Sequence, residues 1–158
     1  MFRFARRIGG MTPKIDVQAS ELIEKLRLER HPEGGWYRET WRAASAEGVR
    51  GAATTILFLL DRGERSHWHR VDADELWLWH AGAPLALMRA EHDRADVERL
   101  VLGGQVLDGE HPQVRIPAGW WQAAEADTGW TLVSCVVAPA FQFEGFELAA
   151  PGWAPTLA

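Results

Sequence analysis

Gly63-Glu64-Arg65-Ser66-His67-Trp68-His69-Arg70-Val71-Asp72-Ala73-Asp74-Glu75-Leu76-Trp77-Leu78-Trp79-His80-Ala81-Gly82 decides the reading of this chain. In a strand, residues two apart share a face. Alternation over 75–80 therefore sets Glu75, Trp77 and Trp79 on one face and Leu76, Leu78 and His80 on the other. By the same rule His67 and His69 point the same way if their strand is unbroken, and Val71 joins them. Outward from this segment the chain reads as short apolar or alternating runs: 36–41, 54–60, 84–90, 97–102, 114–116, 120–125, 130–138 and 141–148. Glycine, proline and Asp-Gly punctuation separates them. One helix is predicted ahead of them over 16–28, where Leu22, Ile23 and Leu26 recur at helical spacing; Pro32 and Gly34-Gly35 follow as stop signals. Many short strands behind one helix predict an all-β sandwich or barrel.

The 158 residues suit one domain. We expect an N-terminal extension over 1–15 and a single domain over 16–158, with Met1 and Met11 both open as starts. Nine tryptophans imply a packed core, an aromatic-lined pocket or an interface. A basic surface with those rings would suit single-stranded nucleic acid, but the net charge is −5, so no nucleic-acid partner is expected. No apolar run is long enough to span a bilayer, and no apolar stretch follows Arg3, Arg6 and Arg7 to make a secretory signal, so a cytoplasmic protein without a membrane partner is expected. Cys135 is the only cysteine, which excludes a disulfide framework within one chain; it reads as an inert core thiol.

The densest chemistry is Ser66-His67-Trp68-His69-Arg70 with Asp74-Glu75. Imidazole nitrogens beside a carboxylate bind a first-row metal, and a His with a carboxylate neighbour is equally a general acid–base pair. Arg38, taken to face inward from its strand, suits a carboxylate or phosphate on a substrate, with an ion pair to Glu33, Asp74 or Glu75 as the alternative.

Residues 63–82 resemble the first cupin motif, with Gly63, His69, Glu75 and Gly82 in register and Val71 at its second His. Pro117-Ala118-Gly119 resembles the centre of the second motif, with Gln122 at its His position. More narrowly, His31-Pro32-Glu33-Gly34-Gly35-Trp36-Tyr37-Arg38-Glu39-Thr40 resembles the opening signature of the DUF985 (cupin-5-like) family of the cupin superfamily. Ser66-His67-Trp68-His69-Arg70, Asp74-Glu75-Leu76-Trp77, 117–124 and 136–141 resemble its later blocks. The resemblance implies a cupin double-stranded β-helix, that is a jelly-roll barrel, with an N-terminal α-helix, and a homodimer. It extends more distantly to sugar-nucleotide epimerases of the dTDP-4-dehydrorhamnose type.

The expected pocket holds His69 and Glu75 as catalytic candidates, with Arg38, Trp77, Gln122 and Trp120 binding a small-molecule substrate, anionic or sugar-like. One reading is an isomerase- or epimerase-like enzyme in which His69 removes a proton next to a carbonyl. The alternatives are a metal-dependent oxygenase or isomerase, with a divalent metal on His67, His69, Glu75 and Gln122, and a non-catalytic small-molecule binder.

Overall fold

The computed structural model describes residues 15–156. The extension expected over 1–15, Ile15 apart, lies outside the described residues, as do both candidate starts. Helix α1 (Val17–Leu26) precedes eleven strands: β1 (Glu29–Arg30), β2 (Trp36–Arg42), β3 (Thr54–Leu60), β4 (Arg65–Val71), β5 (Asp74–Gly82), β6 (Leu85–Ala90), β7 (Glu98–Leu102), β8 (Gln113–Ile116), β9 (Trp121–Glu125), β10 (Thr131–Ala138) and β11 (Phe146–Leu148). One antiparallel sheet runs β1-β2-β3-β10-β5-β8 and the other β11-β4-β9-β6-β7. Sequence neighbours β4 and β5 lie in opposite sheets, so the chain crosses between layers at Asp72-Ala73, as a jelly roll requires.

Strand β3 explains how the layers are covered. Its inward residues Phe58 and Leu60 join Trp77, Leu85, Leu87, Leu102 and Val133 in the core between the sheets. Its outward residues Leu57 and Leu59 pack against Ala19, Leu22, Ile23 and Leu26 of α1. A run apolar on both faces is therefore covered on both. Each fully buried Leu or Phe contributes roughly 1.5–3 kcal/mol.

The helix is shorter than predicted, and its stop is local. The Asp16 carboxylate accepts from the backbone N–H of Gln18 and Ala19 at the N-cap. At the other end Arg27 turns left-handed (φ 55°), and Leu28 N–H returns to the Ile23 carbonyl at 2.9 Å. That is a Schellman-type closure, made before Pro32 is reached. The strand expected over 141–148 is also cut short. Phe143–Gly145 forms a single 3-10 turn, and only Phe146–Leu148 pairs, antiparallel with β4.

Candidate acid–base site

A cavity of about 330 Å³ opens between the sheets, within the size range of small-molecule pockets. His31, Glu33, His69, Glu75 and Cys135 line it together with Ile56, Val71, Val137 and Phe146; Glu29, Tyr37, Glu39, Arg42, Phe141 and Phe143 also line it. Three of its titratable groups are well covered, with His69 at 2% exposure, Glu75 at 6% and Glu33 at 9%.

Local backbone geometry brings them in. Glu33 sits on the β1–β2 turn, closed by His31 N–H to the Gly35 carbonyl (3.0 Å) and Gly34 N–H to the His31 carbonyl (3.1 Å). Gly34 has φ 108°, and a Cβ there would fall inside the Arg65 carbonyl oxygen. Only glycine fits that turn against β4, and the turn carries the Glu33 carboxylate inward. His69 lies opposite Gln122 across β4 and β9, and Glu75 opposite Val137 across β5 and β10.

Hydrogen bonds fix the protonation pattern of the centre. His69 Nδ1 is 2.8 Å from the His67 carbonyl oxygen. A carbonyl only accepts, so Nδ1 carries the hydrogen. Burial holds the imidazole below its usual pKa despite Glu75 nearby, which favours the neutral ring. Nε2 is then a lone pair, and it stands 3.3 Å from Glu33 Oε2. His31 Nδ1, which accepts from the Glu33 backbone N–H (3.2 Å), stands 3.3 Å from the same oxygen. Burial lowers His31 as well. Glu33 Oε1 accepts from Ser66 Oγ at 2.8 Å. Burial raises the Glu33 carboxyl above the usual carboxylate range. No ring hydrogen points at Glu33 Oε2: His69 Nε2 and His31 Nδ1 both face it as acceptors.

Glu75 is positioned by a second chain. Trp77 Nε1–H donates to Gln122 Oε1, and Gln122 Nε2–H donates to Glu75 Oε2, both at 2.7 Å. Indole N–H is only a donor, so it sets the amide orientation and obliges Glu75 to accept. Burial also raises Glu75, and the neighbouring Glu33 adds to this. The Cys135 thiol lies beside Glu75, and burial pushes it well above its ordinary range, so it is a neutral, unreactive group there.

The structure thus gathers His69 and Glu75 in the cavity and places Gln122 and Trp77 behind them as supports. It places the other expected residues elsewhere. A β-bulge between Ser66 and His69 breaks the parity of β4. Ser66 and His69 both turn inward, whereas His67 faces away from the cavity and meets the Ala150 carbonyl at 2.9 Å. On β2 the inward residues are Tyr37 and Glu39, so Arg38 is on the outer face and its Nε donates to the Leu26 carbonyl at the end of α1. A bulge between Glu39 and Trp41 then returns Arg42 to the cavity side. Trp120 lies in the turn before β9 and packs on the core with Arg89 over its ring.

The metal ligand set expected from the motif does not fit this arrangement. His67 is on the wrong face, Val71 offers no donor, and both polar atoms of the Gln122 amide are engaged. Among the described residues no three His, Cys, Asp or Glu side chains gather on a common point suited to a metal ion. His31 and Glu33 are the residues that sequence reasoning did not nominate. Their signal was a carboxylate lodged in Pro32-Glu33-Gly34-Gly35, a turn where a surface residue would carry no constraint.

The protein-family model described as "Cupin superfamily (DUF985)" matches residues 20–149. A crystal structure of protein SO0799 from Shewanella oneidensis is similar at 38% identity and TM-score 0.78, covering 84% of each chain. A hypothetical protein from Leishmania major is similar at 36% identity and TM-score 0.75, covering 84% of this chain and 87% of that one. Oxalate decarboxylase from Bacillus subtilis shares the fold at 15% identity and TM-score 0.56, with 75% of this chain matching 29% of the longer one. No curated protein matches significantly. The chain belongs to the DUF985 family of the cupin superfamily.

Proposed function

We propose that this cupin is an isomerase- or epimerase-like enzyme that moves a proton next to a carbonyl group in a small polar, sugar-like molecule. The observation that carries the reading is His69 Nε2, a buried lone pair 3.3 Å from Glu33 Oε2 at the inner end of the cavity. A general base needs a free lone pair, a fixed ring and an acid to exchange its proton with. The His67 carbonyl fixes the ring, and Glu33 is the exchange partner. Glu75, held by Gln122 and Trp77, is the second carboxyl, placed to donate to or accept from a carbonyl or enol oxygen. Arg38, held on the outer face by the Leu26 carbonyl, takes no part.

The test is deuterium uptake from D2O at the carbon beside the carbonyl, followed by proton NMR across a panel of aldoses, ketoses and nucleotide-linked keto sugars. Uptake by the wild type that falls about 10²–10⁴-fold in a folded His69→Gln variant is expected. No uptake across the panel, or uptake that survives His69→Gln, would leave a binding protein and overturn the catalytic reading.

A further inference from the structure

We infer that the ligand of this cavity carries an ammonium group, received by the carboxyl groups of Glu33 and Glu75. This rests on the proton-transfer reading for the site but concerns a different property, the charge of the molecule that enters. Hydrogen-bond complementarity carries it. Glu33 Oε2 faces two ring nitrogens whose hydrogens point elsewhere or are absent, so no N–H of the protein is committed to it. His69 Nε2, on a residue 98% buried by its 2% exposure, has no donor either. The inner end therefore presents acceptors and asks for donors.

Charge points the same way. Glu29 adds a further carboxyl group to the lining, while Glu39 is balanced by Arg42. Among the described residues Arg42 is the sole lysine or arginine lining the cavity, and it is already held. Its Nε and Nη2 bind the Glu39 carboxylate at 2.9 and 2.8 Å, and Nη1 binds the Phe141 carbonyl at 2.9 Å. Among the described residues an incoming carboxylate or phosphate meets no unengaged cation, whereas an ammonium meets several acceptors. Phe146 lies 5.6 Å from the His69 ring and 6.0 Å from the His31 ring by centroids, so an aromatic ring lines the cavity beside the acceptors. Ring faces attract cations. These features replace the anionic substrate expected from Arg38 with an amino-bearing one.

The experiment uses three probes with one skeleton and three charges: benzylammonium, benzyl alcohol and benzoate. Each is titrated at pH 7.5 into the ¹⁵N-labelled full chain, with cavity amides observed by NMR. The cavity has room for the ring, since about 150 Å³ suffices for benzene. We expect saturable shifts at Gly34 and Val137 with benzylammonium, binding about tenfold tighter than benzyl alcohol, and none with benzoate. Glu75→Gln should cancel that preference while benzyl alcohol binding is unchanged; Glu33→Gln is the second variant if the first fails to fold. Benzoate binding as tightly as benzylammonium, no saturable shift with any probe, or stoichiometric Zn²⁺ binding at His69 and Glu75 would overturn the inference. Failure of deuterium uptake with benzylammonium binding intact would remove the catalytic reading and leave the ligand class standing.

Discussion

Replacing Gln122 by Leu tests whether Glu75 is positioned through a relay. The side chain is 1% exposed and joins Trp77 Nε1–H to Glu75 Oε2 through two 2.7 Å hydrogen bonds. Leucine fills a similar volume but leaves a buried indole N–H and a buried carboxyl oxygen without partners. Each orphaned group costs about 1–3 kcal/mol, with apolar burial of Leu offsetting part of the sum. A net loss of about 3 kcal/mol is expected, about 6–12 °C in Tm for a chain of this length. Trp77→Phe removes the donor instead and leaves Gln122 Oε1 unpaired, with a small cavity where the larger ring stood. The double variant lacks both partners of that bond, so it should be more stable than the sum of the singles predicts, by about 1–2 kcal/mol. Urea unfolding at neutral pH for the four proteins measures this cycle. Additivity within about 0.5 kcal/mol would refute the relay.

Three further outcomes follow from the same contacts. Gly34→Ala should destabilise the fold by more than about 2 kcal/mol, because a positive φ and a clash with the Arg65 backbone act together; thermal unfolding reads it, and a loss under about 0.5 kcal/mol would show that the turn yields. Glu75→Gln should gain stability relative to wild type as pH rises. A carboxyl raised in the folded state contributes stability that is complete below about pH 4.3 and is lost as pH climbs through its raised value. His31 and His69, lowered by burial, act oppositely, losing stability as pH falls below about 6.5 in both proteins. Urea midpoints between pH 4.5 and 8 should therefore diverge in favour of the variant, and a constant gap would contradict the assignment. Asp16→Ala should cost about 1 kcal/mol through loss of the helix cap, measured by the same unfolding.

The strands, their alternation and the motif glycines were legible in the sequence because period-2 burial is a local signal. Glu75 and Trp77 face inward, as alternation over 75–80 predicts, and the cupin barrel agrees with the family resemblance. What stayed illegible were two places where the period breaks. The bulge in β4 turns His67 out and His69 in, and the β2 register sends Arg38 outward while its bulge brings Arg42 round. A bulge adds one residue without any residue type that marks it, so parity carried past it inverts. Glu33 was hidden for another reason. Its role depends on β4 approaching Gly34 from far along the chain, a tertiary contact that turn chemistry alone does not reveal. The helix stop at Arg27 was missed because a left-handed cap made by a non-glycine residue leaves no compositional trace.

The central claim is that His69 is a neutral base whose Nε2 lone pair faces Glu33 inside the cavity. The most direct measurement is the ¹⁵N chemical shift pair of the His69 imidazole, in full-length protein labelled at histidine and assigned by His69→Gln, recorded from pH 6.5 to 8. The account predicts hydrogen on Nδ1, held by the His67 carbonyl, and an Nε2 resonance typical of an unprotonated acceptor. An Nε2-protonated tautomer, or an Nε2 shift moved by a bound metal ion, would contradict it.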